Sequence, residues 1–320
     1  MGSKLKTKST LGSLGISIIL ASLAIPLAVS PASALEDLTD AATEQLQTIE
    51  EVTPDVLEDR FESLEVTDVE VQATTTEERW IEEAGETIPV NVENITTVPL
   101  DASSPINIST EGIESSASIG LPFAESTGLA EVLDDGTPVF DHENGSSSVP
   151  VIKDDGSVQI TTIIESADAP TRYDYPTDVE GLASIEELEG GTLLFTDANG
   201  EFLAAIAPAW AKDAAGVDIP TRYEVDGTTV TQVVDHDTAV NVQYPVVADP
   251  WWGKNLFSYV TRDTFNGKMR INAQKSTWGQ VIHTAGYANG QRVFLTSGLT
   301  EVASRQPQLL SMQSLVDQYV

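Results

Sequence analysis

Thr192-Leu193-Leu194-Phe195, then Asn199-Gly200, then Phe202-Leu203-Ala204-Ala205-Ile206: two short apolar runs meet across an Asn-Gly dipeptide. Asn and Gly tolerate the positive φ angles of tight hairpin turns, so this stretch reads as two antiparallel strands. The same grammar recurs on both sides of it. Asp226-Gly227 precedes Thr229-Val230-Thr231-Gln232-Val233-Val234, and residues 239–244 read as one more strand. Upstream, Pro89-Val90-Asn91-Val92, Ile106-Asn107-Ile108 and the run at 158–164 are β-like, while Asp135-Gly136, Asn144-Gly145 and Asp155-Gly156 supply turns. Pro170-Thr171-Arg172-Tyr173 recurs as Pro220-Thr221-Arg222-Tyr223 and reads as two similar strand starts. The fold class expected is mainly β over residues 88–250.

Towards the N-terminus the pattern changes. Leu38, Ala42, Leu46 and Ile49 fall at helical spacing among acids and glutamines. Thr53-Pro54-Asp55 has the chemistry of a helix start, and Val56, Leu57, Phe61 and Leu64 extend the apolar stripe. Residues 35–87 therefore read as an acidic leader, helical or flexible. Before it, Lys4, Lys6 and Lys8 form a basic end, residues 14–29 are almost wholly apolar, and Ala32-Ser33-Ala34 is a small-x-small site. That order is the one signal peptidase recognises, with cleavage expected between Ala34 and Leu35. The mature chain is expected outside the cytoplasm, and no later apolar stretch approaches the length of a membrane span. The chain contains no cysteine, which excludes disulfides, thiolate metal sites and cysteine nucleophiles.

Towards the C-terminus the charge reverses. Residues 35–250 carry 47 acids against six bases, net −41, whereas 251–320 carry seven bases against three acids, net +4. A change of sign at Pro250 is the expected mark of a domain boundary, followed by a small basic α+β domain. There Lys268-Met269-Arg270-Ile271-Asn272-Ala273 reads as an edge strand. Ser276 or Thr277 caps a helix through Trp278, Val281 and Ile282, residues 292–296 form a strand, and Pro307 opens a last helix. The apolar side of that helix, from Leu309 to Tyr319, runs to the end of the sequence, so the domain is expected to be incomplete.

Pro208-Ala209-Trp210-Ala211-Lys212-Asp213-Ala214-Ala215-Gly216, Ile219-Pro220-Thr221-Arg222-Tyr223 and Tyr244-Pro245-Val246-Val247-Ala248-Asp249-Pro250 together resemble the β-rich module of secreted actinobacterial proteins. Trp252-Gly253, Ser276-Thr277-Trp278-Gly279 and Asp317-Gln318-Tyr319 resemble the C-terminal domain of unknown function that follows this module. The resemblance covers the second half of the chain. It implies continuation past Val320 with a Cys-His pair and a short Trp-containing tail, and it carries no established activity.

Candidates for chemistry are few. The sequence has three histidines; His142 and His236 each have acids on both sides, and Asp235-His236-Asp237, at the end of a valine-rich strand, is a candidate metal or catalytic group. Asp197, Asn199 and Glu201 alternate like part of a calcium loop, a candidate for weak calcium binding, although the hairpin turn explains Asn199-Gly200 by itself. No other cofactor is indicated. HExxH, GxSxG, P-loop and GxGxxG patterns are absent, and no catalytic pair can be chosen from the 47 acids. Trp251-Trp252 reads as packing at a domain junction, with a sugar platform as the alternative. The seven C-terminal bases point to anionic cell-envelope polymers, with another extracellular protein as the other partner class and nucleic acid discounted. The function expected is that of a secreted, non-enzymatic, envelope-associated interaction protein. The alternatives are a toxin-like or antimicrobial polypeptide restrained by its acidic part, and an extracellular hydrolase.

Overall fold

The computed structural model describes residues 31–83, 86–111, 113–284 and 298–306. Helix α1 (Pro31–Val52) and one 3-10 turn (Pro54–Leu57) lead into the strands. In chain order these are β1 (Glu65–Val66), β2 (Glu70–Glu83), β3 (Glu86–Pro99), β4 (Ile106–Thr110), β5 (Ile113–Ile119), β6 (Glu131–Val132) and β7 (Pro138–Asp141). There follow β8 (Ser146–Ile152), β9 (Val158–Ile164), β10 (Arg172–Val179), β11 (Ser184–Glu187), β12 (Leu193–Thr196), β13 (Phe202–Ile206) and β14 (Trp210–Lys212). The last are β15 (Thr221–Asp226), β16 (Thr229–Val234), β17 (Val246–Asp249), β18 (Trp251–Gly253), β19 (Phe257–Phe265) and β20 (Lys268–Lys275), with helices α2 (Thr277–Thr284) and α3 (Leu299–Arg305) after them.

Two antiparallel sheets face each other. One has the order β1-β2-β3-β4-β5-β10-β16-β15, the other β11-β12-β13-β18-β9-β8-β7-β6, with β17 bridging β9 to β14. Their inner faces share one core that includes Ile106, Ile119, Tyr173 and Tyr175 from the first sheet and Ile160, Phe195, Val246 and Trp252 from the second. The first sheet is wet outside: β10 alternates exposed and buried along its whole length. The second is covered on both faces, which is why β8 and β9 are buried at every position. Val139, Val149, Val151 and Ile163 of its outer face pack beneath Ala42 and Ile49 of α1, and Leu194, Ala205 and Ala207 pack beneath Leu256, Trp278 and Ile282. The fold is mainly β, a sandwich with a helical third layer.

The hairpin grammar is obeyed. Gly136, Gly145, Gly156 and Gly200 all sit at positive φ, in the turns β6–β7, β7–β8, β8–β9 and β12–β13. The recurring Pro-Thr-Arg-Tyr segments start β10 and β15, which flank β16 at the same register. Arg172 and Arg222 both pair with Val233, and Tyr173 and Tyr223 both pair with Gln232. The two guanidiniums meet on Glu224, at 2.9 and 3.0 Å.

Four boundaries differ from the sequence reading. Residues 65–83, assigned to the leader, are strands β1 and β2, because Val71 and Ala73 alternate into the core between the half-buried polar residues Glu70, Gln72 and Thr74. The helix expected from Thr53 onward is a single 3-10 turn, since the backbone of residues 59–61 is drawn onto β8 instead. Residues 239–244 form turns, with Asn241 at positive φ and the Gln243 N–H held by Asp213, so they join no ladder. The chain also crosses Pro250 without leaving the sheet. Trp251 and Trp252 pair with Gln159 and Val158 of β9, and Trp252 packs edge-on to Phe195 at 5.1 Å. The expected strand at 292–296 and the helix from Pro307 lie outside the described residues.

Candidate binding groove

The quoted motifs come together as packing. Trp210 of β14 is the cross-strand partner of Asp249 of β17, so the two best-marked segments of the β-rich module form one ladder. Asp213 closes the following turn, its carboxylate accepting from the Ala215, Val217 and Gln243 N–H groups. Burial pushes that carboxyl up and the backbone bonds bring it below the ordinary carboxylate value. Gly253 lies flat against the Trp278 ring, where a Cβ would stand 2.5 Å from Cδ2. A Cβ on Gly279 would lie 2.1 Å from the Leu256 carbonyl oxygen. Ser276 is the residue that caps α2, accepting from the Gly279 N–H at 2.8 Å and donating to the Asn255 carbonyl at 2.9 Å. Trp251 stacks over the Lys153 ammonium at 5.2 Å and donates its indole N–H to Ser157. Neither tryptophan of the pair is an open platform.

The metal candidates do not converge. His236 is buried, its Nε2 donating to the Pro170 carbonyl at 3.0 Å and its Nδ1 bonded to the Tyr244 hydroxyl at 2.9 Å. Asp235 turns to Arg222, and Asp237 is exposed. Asp197 accepts from the backbone of Asn199 and Glu201 and from the Asn199 amide, which closes its hairpin. Among the described residues no three His, Asp or Glu side chains are grouped to hold an ion.

A concave feature lies elsewhere, at the seam where the β1–β2 edge of one sheet meets the β6–β8 edge of the other. Residues 57–66 run across this seam as a strap. The Phe61 N–H donates to the Ile152 carbonyl, the Asp154 N–H donates to the Asp59 carbonyl, and the buried Lys153 ammonium holds the Val56 and Glu58 carbonyls at 2.5 and 2.9 Å. Gly136 has no side chain because Leu64 and Val66 lie over the turn, 3.2 to 3.3 Å from where a Cβ would be. Between strap, turn and β8 a groove of about 1090 Å³ opens. Its apolar lining includes Leu57, Phe61, Leu64, Val66, Pro138 and Val151.

The polar lining is one-sided: Asp59, Glu62, Asp134, Asp135 and Asp154, with Arg60 as its one base. Arg60 is already engaged, donating to Asp135 at 2.6 Å. Burial pushes the Asp135 carboxyl up, but the Thr137 N–H and Arg60 more than offset it, leaving the acid lowered. Asp154 is raised, by burial first and then by the charges of Asp155 and Asp59. The hydroxyls of the lining belong to Ser63 and Thr137, and it contains no histidine or lysine. Comparisons with protein-family models, with curated proteins and with solved structures find no match to this chain. The groove is therefore read from its own chemistry: an apolar floor under a rim of carboxylates.

Sequence reasoning passed over this site. The signal available was the scarcity of bases: Arg60 and Lys153 are two of only six among 47 acids, and both anchor the strap. The C-terminal bases, which the sequence offered as a surface for anionic polymers, are partly consumed internally. Arg305 is buried between Glu77 and Glu301, Arg270 pairs with Asp263, and burial lowers the Lys254 ammonium to about 8.

Proposed function

We propose that this chain is an exported, non-enzymatic binding protein that works at the cell envelope and holds another extracellular protein in the groove between strap and sandwich. The observation that carries the reading is the groove itself, a concave apolar surface with convergent charge on a rigid double sheet. Export rests on the basic end, apolar run and Ala32-Ser33-Ala34 of the sequence. The resemblance to secreted actinobacterial modules points to the same compartment, and no helix among the described residues is long and apolar enough to cross a membrane.

Two measurements test it together. Protein recovered outside the producing cells begins at Leu35 on N-terminal sequencing. The mature chain co-sediments with washed envelopes, and Ser63→Trp, which fills the groove from its wall, abolishes co-sedimentation while leaving the melting temperature unchanged. A Ser63→Trp chain that still sediments removes the groove from the function.

One observation favours a second reading, an extracellular hydrolase. Asp154 is a raised acid beside other carboxylates, the property a general acid requires. Turnover of envelope glycan that is lost in Asp154→Asn with unchanged envelope binding would establish it.

A further inference from the structure

We infer that the segment held in the groove is a basic, partly apolar stretch of polypeptide from the partner protein, an inference that rests on the groove being the binding surface. Charge complementarity selects it. Five carboxylates line the groove against one guanidinium, and that guanidinium is neutralised by Asp135. An anionic occupant would face the uncompensated negative charge of the rim carboxylates, in a chain whose net charge is already −34. A purely apolar occupant would bury the rim acids without partners. A basic occupant relieves the crowding of Asp59 and Asp154 while its apolar residues cover Phe61, Leu64 and Val66.

Arg60 shows the geometry from within. Its guanidinium reaches the β6–β7 turn from the strap and docks on Asp135 Oδ2 at 2.6 Å, while Asp135 Oδ1 stays on the Thr137 N–H at 3.0 Å. Neighbouring Asp134 and Glu62 are exposed on the same rim, so a second cation can be received beside the first. Part-buried Leu64 and exposed Val66 leave apolar surface at the seam between them.

The test uses the mature chain and a short synthetic peptide of alternating leucine and lysine, with a leucine–glutamate peptide as counterpart, titrated by calorimetry. The lysine peptide binds, and its affinity falls as salt screens charges over roughly 8 Å. Glu62→Gln combined with Asp134→Asn weakens it about tenfold, from two rim charges of ordinary strength. Ser63→Trp abolishes it, and the glutamate peptide does not bind. No binding of the lysine peptide, or equal binding to the double variant, overturns the inference. If Ser63→Trp nonetheless abolishes envelope co-sedimentation, the groove remains the binding surface with a different occupant. Binding of the glutamate peptide that Ser63→Trp blocks has the same meaning. Lysine-peptide binding and envelope co-sedimentation both unaffected by Ser63→Trp overturn the inference and the proposed function together.

Discussion

Each of the six bases in the acidic part has a defined partner: Arg60 with Asp135, Arg79 with Glu77, Lys153 with two carbonyls, Arg172 with Glu224, Lys212 with Asp218, and Arg222 with Glu224 and Asp235. In so acidic a chain a base survives where the fold uses it. Two buried titratable groups shape the pH response. Burial pushes the Asp249 carboxyl up to about 8 from 3.8, against lowering by Gln159, Trp210 and Lys153. The folded state therefore holds a proton the unfolded state has lost, and stability falls by about 1.4 kcal/mol per unit as pH rises through that window. Burial lowers His142 from 6.5 to about 4, its ring bonded to Thr127 and Ser148, so its contribution is lost as pH falls from 6.5 towards 4. Between about 4 and 6.5 the two slopes oppose each other, and above 6.5 the histidine adds no slope of its own. Denaturant unfolding should show Asp249→Asn gaining on the parent by about 1.4 kcal/mol per unit from pH 6.5 to 8. A constant difference across that range would mean Asp249 is ionised in the folded protein. Gly279→Ala tests packing at the same scale. Its Cβ meets the Leu256 carbonyl, backbone that cannot step aside cheaply, and the expected loss is about 3 kcal/mol by chemical denaturation. A loss within about 0.5 kcal/mol would show that α2 sits elsewhere.

At the scale of elements, the C-terminal pieces are fastened by a buried ion cluster as well as by Trp278. Arg305 of α3 meets Glu77 of β2 at 2.9 Å and Glu301 at 2.7 Å, and donates to the Phe257 carbonyl. Glu301 accepts from the Leu256 and Phe257 N–H groups; burial raises it, although Arg305 and these bonds pull it down. Removing one member of a buried pair strands the others, so Arg305→Met should cost about 3–5 kcal/mol in denaturant unfolding. The loss should be the same in dilute and strong salt, because the pair is shielded from solvent ions. A loss that shrinks with salt would place this contact at the surface. Hairpins were legible in the sequence because Asp-Gly and Asn-Gly dictate local geometry at Gly136, Gly145, Gly156 and Gly200. The start of the sandwich at Glu65 was not. β2 alternates Val71 and Ala73 with Glu70, Gln72 and Thr74, and only the facing sheet makes that face a core. Residues 239–244 have strand composition yet form turns, because Asp213, thirty positions away, takes the Gln243 N–H.

For the whole molecule, the charge changes sign at Pro250, and the second sheet runs through that position. β18 lies between β13 and β9, and Trp252 is fully buried, so the last strand of the second sheet comes after the change of sign. Charge records which surfaces meet water, and it is silent about where a core ends. A chain ended at Pro250 would lose β18 and should unfold well below the parent temperature, as truncating a buried tryptophan alone costs about 3–5 kcal/mol. The groove escaped the sequence for a related reason, since its lining is gathered from positions 57–71, 134–138 and 150–154 by the meeting of two sheet edges. The measurement that bears most directly on the central claim is hydrogen–deuterium exchange of the mature chain, free and bound to washed envelopes. New protection is expected on the strap at 57–66, the turn at 134–138 and residues 150–154 at and just after the end of β8, and nowhere else. Protection on the β19–β20 hairpin, with the strap and turn unchanged, would contradict it and make the basic C-terminal segment the binding surface.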